Sequence, residues 1–451
     1  MFKSAKRNGL VLLIVMCLMV LTACGSGNKD EASDAANPDA TSTKAPDSGK
    51  KQTLIVYAQD DQNVFGDEAK ADQLFGDFKK ENNVNLQIVS IKSSDFLQKF
   101  TISAQGNEPM DVLFTNGQFI RTFYSKGLIA DLTNEIKAPA DRFNQSALDT
   151  YTYGGKLYAL PWSGATTSAL YYNKSLFEKY NLKVPTTFDE LTAVSKEFNK
   201  NGIAPIAFGG GDKFMWPMWY FETFAQASGN DSVNRTFAAL QGKAKFTDPD
   251  FVEAMEELGK FGKDKILQDG VNGTNMDAAR ALFIAEKAAM FYGGSWELDG
   301  FSKGIADKLD VALFPTVKAG TKVQMTGAGG DGVALYAKVA PEKKDLAVKL
   351  IEYFTSDAVH QKYVDISGMA LPANKNIPTK GNAVVAALKD KHVPVTVTFL
   401  DWYWPKEITE EFQIEIQAVV GQMVSAKDAM AKIQAVYDKI KAGGYDFDST
   451  K

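Results

Sequence analysis

Thr53-Leu54-Ile55-Val56-Tyr57 opens the folded part of this chain. Aliphatic, β-branched and aromatic residues in one short run predict a strand. The chain then alternates. Residues 71–82 carry Leu74, Phe75 and Phe78 at helical spacing, and 85–91 read as a strand with Leu86, Ile88 and Val89 inward. A helix over 94–105 and a strand over 110–114 follow. Strand and helix in alternation predict α/β layers. Later helices carry clear punctuation. Thr247-Asp248-Pro249 starts one holding Val252, Met255 and Leu258, since proline suits a first turn. Pro341 opens another with Leu346, Leu350 and Phe354. Ser425 and Asp428 form a capping pair before Met430, Ile433, Val436 and Ile440, and Gly443-Gly444 stops that helix. There is no internal repeat at solenoid or propeller periods.

Ahead of the first strand the sequence changes character. Residues 25–51 are Gly, Ser, Asp, Ala, Pro, Thr and Lys without apolar periodicity, the composition of a flexible tether. Before that, Lys3, Lys6 and Arg7 precede an apolar run over 10–20 and then Leu21-Thr22-Ala23-Cys24. A basic start, a short apolar stretch and small residues before a cut site predict a secretory signal over 1–23. The run is shorter than the ~20 apolar residues of a membrane span. The cysteine at this place resembles a bacterial lipobox, which implies lipidation (palmitate among the acyl groups) of Cys24 as the first mature residue. An ordinary signal peptide with an incidental cysteine is the alternative.

Composition narrows the function. A chain of 451 residues exceeds one ordinary core and predicts two. The formal net charge is -5 and no basic tract is present to follow a phosphate backbone, which argues against nucleic acid as partner. The two cysteines are Cys17 and Cys24. The first leaves with the signal and the second carries lipid, so no disulfide is expected in the mature protein. His360 and His392 are the only histidines, which leaves no zinc set. No cofactor is expected.

Three motifs invite other readings. Gly327-Ala328-Gly329-Gly330-Asp331-Gly332 fits the spacing of a dinucleotide loop, but Val333-Ala334-Leu335-Tyr336 reads as a strand where a helix N-terminus is required. A hinge or close backbone approach suits these glycines better. Asp61-Gln62-Asn63-Val64-Phe65-Gly66 starts like a calcium loop, but Phe65 stands where an oxygen ligand is needed. Gly293-Gly294-Ser295-Trp296-Glu297 resembles a nucleophile elbow with Glu297 in place of glycine. Paired carboxylates for glycoside hydrolysis cannot be identified by spacing alone.

The tryptophans are Trp162, Trp216, Trp219, Trp296, Trp402 and Trp404, each read in a loop or at an element edge. Trp216 and Trp219 follow Gly209-Gly210-Gly211, Trp296 follows Gly293-Gly294, and Trp402 and Trp404 bracket Tyr403. Aromatic faces suit the C–H faces of sugar rings, while nearby amides and carboxylates bind hydroxyls. Core plugs beneath loops are the alternative, strongest for Trp216, with Met215, Pro217 and Met218 around it.

A set of blocks in order then resembles a known family. They are residues 155–162 (GKLYALPW), 170–178 (LYYNKSLFE), 184–191 (VPTTFDEL), 283–296 (FIAEKAAMFYGGSW) and 313–316 (LFPT). Together they resemble the family 1 extracellular solute-binding proteins of ABC importers, the maltose-binding-protein-like group, over most of 53–443. The resemblance implies an α/β fold of two lobes with ligand in the cleft between them. It places one lobe at 52–164 plus 332–378 and the other at 165–331 plus 379–451. Crossings are expected near 163–168, 326–331 and 376–381. It implies hydroxyl ligands at Gln59, Asp60 and Asn116, where the maltose type has a carboxylate in place of Asn116. It implies stacking by Trp296 and by Trp402 or Trp404; Trp162, Trp216 and Trp219 stay candidates for the pocket on their placement in sequence alone. Asp331, at the hinge, is added as an acid facing the cleft, with a turn residue between glycines as its alternative.

The function so implied is a monomeric, non-enzymatic receptor for an oligosaccharide, tethered by Cys24 to the extracellular face of the cytoplasmic membrane. It delivers its ligand to permease subunits in the same membrane. A peptide or polyamine binder and a secreted glycosidase stand as alternatives.

Overall fold

The computed structural model describes residues 51–61, 63–137, 140–143, 145–301, 304–317, 320–367, 371–379, 381–445 and 447. Cys24, the signal segment and the tether up to Lys50 lie outside the described residues. Residues 51–451 form one compact unit, and the four hydrophobic clusters all fall within it.

In chain order the strands are β1 (Gln52–Gln59), β2 (Val84–Ile91), β3 (Val112–Asn116), the small hairpin β4 (Thr152–Tyr153) and β5 (Lys156–Leu157), and β6 (Ala159–Pro161). They continue as β7 (Thr166–Asn173), β8 (Ala204–Ala207), β9 (Ala288–Gly294), β10 (Leu309–Ala312), β11 (Met325–Ala328), β12 (Asp331–Leu335) and β13 (Thr396–Val397). Two mixed sheets result. One has the order β2-β1-β3-β12-β6, with β1 parallel to β2 and β3, and β12 antiparallel to β3 and β6. The other has the order β13-β11-β7-β9-β8, with β10 beside β7.

The first sheet is covered on both faces. Leu54, Val56 and Ala58 of β1 enter one cluster, and Tyr57 enters another. A strand buried on both sides reads as a continuous apolar run, as 53–57 does. Helix α1 (Glu68–Glu81) is capped by Asp67, which accepts from Lys70 N, and buries Leu74, Phe75 and Phe78. Helix α2 (Ser93–Gln105) buries Phe96 and Phe100 on the other face. Strand β3 runs two residues beyond the expected 110–114, because Asn116 pairs with Asp331 and then caps α3 (Gly117–Ser125) by accepting from Phe119 N at 2.9 Å.

The second sheet carries the larger core. At its centre lies the helix Trp216–Ala227, of which every residue from Trp216 to Gln226 is buried. Trp216 opens this helix, at an element edge, while Trp219 stands one turn inside it. The glycines before it signal the turn and conceal how soon the helix begins. Apolar residues all round its axis mark a helix with no solvent face.

The chain passes from the first sheet to the second between β6 and β7, and returns between β11 and β12. The return uses Gly329 and Gly330. Gly330 has φ +83°, and a Cβ on it would lie 2.0 Å from the Gly164 carbonyl oxygen. Strand β12, and no helix, follows these glycines. Near the other crossing Gly164 bridges to Pro372.

Candidate functional site

The C-terminal end of β1 presents Gln59 to its neighbours. Its Oε1 accepts from Thr115 Oγ1 at 2.9 Å, Asn116 N at 3.3 Å and Asn116 Nδ2 at 3.1 Å. Its Nε2 donates to Ser93 Oγ at 2.6 Å. Ser93 also donates to the Asp61 carboxylate through its N at 2.9 Å and through its hydroxyl. Asn116 and Asp331 are paired across β3 and β12. Gln59, Asn116, Asp61, Ser93 and Asp331 thus form one polar end of the first sheet, near the place where the chain crosses to the second.

Asp331 is half-buried, and its backbone N donates to Ser163 Oγ. Burial pushes its carboxyl up to about 7, the Asp61 charge adds to that, and the Ser163 hydroxyl opposes it. Near neutral pH such a group is partly protonated and can both donate to and accept from a hydroxyl.

Asp60 has a different job. It is 5% exposed and accepts from Val64 N at 2.7 Å, Phe65 N at 2.9 Å, Gly66 N at 2.7 Å and Ser90 Oγ at 2.9 Å. These bonds shape the following loop and send Phe65 into the core between Phe114 and Trp162. The segment resembling a calcium loop is built by a carboxylate binding backbone N–H groups.

The tryptophans separate by environment. Trp162 is buried in the core on the first sheet, with ring centres of Tyr363 and Phe65 at 4.8 and 5.4 Å. Trp216 is buried and donates from Nε1 to the Gly210 carbonyl at 2.8 Å. Trp219 is buried against Tyr292 at 3.9 Å. Trp404 is buried and stacks on Phe412 at 4.2 Å. These four are core side chains in this structure. Trp296 and Trp402 are partly buried, packed at the margin of the second sheet's core. Trp296 folds back over Gly294, where a Cβ would lie 2.1 Å from its ring. Trp402 packs one face near Phe399 at 5.0 Å and sets its edge against Gly117, the residue after Asn116.

The second sheet holds a buried acid that sequence reasoning missed. Glu222 Oε1 accepts from the Ser168 hydroxyl and from Thr326 N at 3.3 Å, and Thr326 N also donates to Ser168 Oγ at 2.9 Å. The helix Trp216–Ala227 is thereby tied to β7 and β11. Burial pushes the Glu222 carboxyl up to about 8. A lone Glu in an apolar helical run, at Phe221-Glu222-Thr223, was the available signal. Asp61 was also missed, although it directly follows Gln59 and Asp60.

The groups around the segment that resembles a nucleophile elbow have other partners. Ser295 Oγ accepts from Thr167 N at 3.3 Å, Glu297 pairs with Arg280 at 2.7 Å, and His392 Nδ1 faces the Ser168 carbonyl at 3.3 Å. Among the described residues no group of three or more His, Cys, Asp or Glu is placed to hold a metal ion. No helix among them is long and apolar enough to cross a membrane.

Comparison with known proteins agrees with this architecture. Residues 64–361 match the family described as bacterial extracellular solute-binding protein. A multiple sugar-binding protein of Streptococcus mutans is 24% identical over 417 residues, covering 90% of this chain and 91% of that protein. A solved chain from work on xylan utilization by the thermophilic bacterium Caldanaerobius polysaccharolyticus is 26% identical, with TM-score 0.73, over 85% of this chain and 99% of its own. A chitin oligosaccharide binding protein shares the fold at 20% identity, with TM-score 0.75, over 87% of this chain and 100% of its own. With two mixed α/β layers, glycine-lined crossings between them and a family match over most of its length, this chain belongs to the bacterial extracellular solute-binding proteins.

Proposed function

We propose that this protein is the sugar-capturing component of an ABC importer, that its ligand is an oligosaccharide, and that it acts by binding without turnover. The observation that carries this reading is the polar strand end formed by Gln59, Asn116 and Asp331, with the partly buried Trp402 ring set against Gly117, the residue after Asn116. Amides and a partly protonated acid suit hydroxyls, and indole faces suit sugar rings. The names of relatives from several bacteria, which include multiple sugar, α-glucoside and galactooligosaccharide binders, support a sugar as the solute. The lobes are taken as 52–164 plus 332–378 and 165–331 plus 379–451, closing about the crossings on their ligand. Cys24 would hold the body at the extracellular face of the cytoplasmic membrane beside the permease, as a lipidated monomer.

Two acids with one raised is also what glycoside hydrolysis uses, so the test includes cleavage. The 51–451 body is titrated with raffinose, maltose and xylo-, manno- and galacto-oligosaccharides, followed by tryptophan fluorescence and melting temperature, and each sugar is checked for products. Saturable binding of one class without cleavage is expected, with a raised melting temperature. Silence across the panel, or cleavage, overturns the reading.

A further inference from the structure

The two lobes also meet away from the crossing strands. The 3₁₀ turn Leu400–Tyr403 belongs to the second lobe's core: Phe399 and Leu400 are buried there, and the Tyr403 ring lies 4.8 Å from that of Phe237. This turn reaches over to α3 of the first lobe. A Cβ on Gly117 would lie 2.4 Å from Trp402 Cζ3, closer than atoms can approach, and in tight contact at 3.0 Å with Thr150 Cγ2. The glycine here supplies space rather than an unusual torsion. One helical turn on, the Arg121 guanidinium carbon lies 4.7 Å from the centre of the Tyr403 ring and 5.4 Å from that of Tyr153. Tyr153 belongs to the first lobe's core. Arg121 therefore holds an aromatic face from each lobe.

We propose that Gly117 and Arg121 are positioning residues for the ligand cleft: Gly117 receives the edge of Trp402, Arg121 clamps Tyr403, and together they set the second lobe's aromatic wall against the first lobe. The inference rests on the cleft being the solute site. Its consequence is that the wall containing Trp402 is completed only when the lobes meet, and that the clamp favours meeting before any ligand arrives. A cation over two rings is of a strength that shifts such an equilibrium several-fold. Alanine is the best helix former, so placing it at 117, the first residue of α3, leaves the helix intact while obstructing the indole.

The test uses no sugar, so it reads independently of the ligand panel. The 51–451 body contains no cysteine, because both lie before it. Lys126→Cys at the end of α3 and Lys406→Cys after the turn, both exposed, take spin labels whose separation is measured by pulsed electron resonance. The parent is expected to show a dominant short separation. Gly117→Ala and Arg121→Gln are each expected to reduce that population about 3- to 10-fold relative to longer separations, and Arg121→Lys to retain most of it. Melting temperatures stay near the parent's. Unchanged separations in both variants overturn the proposal, and so does a parent without the short population. Lower melting temperatures with unchanged separations assign both residues to folding alone and overturn it as well.

Discussion

Replacing Glu222 by Gln is expected to remove a pH dependence of stability that the parent carries. Glu222 is 1% exposed, and its carboxyl is raised from 4.5 to about 8, chiefly by burial. In the unfolded chain it ionises near its ordinary value. Between those two values the folded protein holds a proton that the unfolded chain has released, so stability falls as pH rises. The contribution is complete below pH ~4.5 and is lost through pH ~8. The limiting slope is ~1.4 kcal/mol per pH unit, and from pH 6 to pH 8 the loss integrates to about 2 kcal/mol. Asp331 and Asp401, both raised to about 7 by burial, act in the same direction over part of that range. His360 and His392, lowered to about 4 by burial, act oppositely as the unfolded histidines release their protons. These contributions are common to parent and variant and cancel in the difference. The variant amide can still accept from Ser168 and Thr326. Urea unfolding of the 51–451 body at pH 6 and pH 8, followed by circular dichroism, should show the variant gaining about 2 kcal/mol on the parent across the interval. A parent and variant that change by the same amount would refute the account of a neutral acid buried between helix and strands.

Other outcomes follow from the same geometry. Asp60→Ala leaves three loop N–H groups without their acceptor and should cost about 3 kcal/mol by urea unfolding, with a small effect on sugar affinity beyond that. Trp219→Ala should cost about 3–5 kcal/mol of stability. Trp402→Ala should leave the melting temperature nearly unchanged and weaken sugar binding about tenfold by titration. The reverse pattern would exchange their roles. Gly330→Ala combines a left-handed torsion with a collision on the Gly164 carbonyl, and should lower stability by about 3 kcal/mol by the same unfolding assay.

Much of the architecture is local, and so was legible. The run 53–57 becomes β1 because apolar residues on both faces suit a central strand, and Pro249, Pro341 and Ser425 sit at or next to helix starts because such residues satisfy or spare free N–H groups. The dinucleotide spacing at 327–332 is followed in sequence by a strand pattern instead of a helix start, and β12 is that strand. What tertiary structure alone decided is which side chains are enclosed and by what. All six tryptophans stand near glycine, proline or another aromatic residue in sequence, yet four are core and two only partly buried, because burial depends on what folds over a ring from far along the chain. Phe412 covers Trp404, and Tyr363 covers Trp162. The same holds for acids: Asp60 and Asp61 are adjacent in sequence, but one is consumed by the backbone of its own loop while the other reaches Ser93 and adds to the field at Asp331. Periodicity and capping are properties of a few consecutive residues. Burial, a carboxyl raised by it and a ring seated on a distant glycine are properties of elements brought together, and no local pattern encodes them.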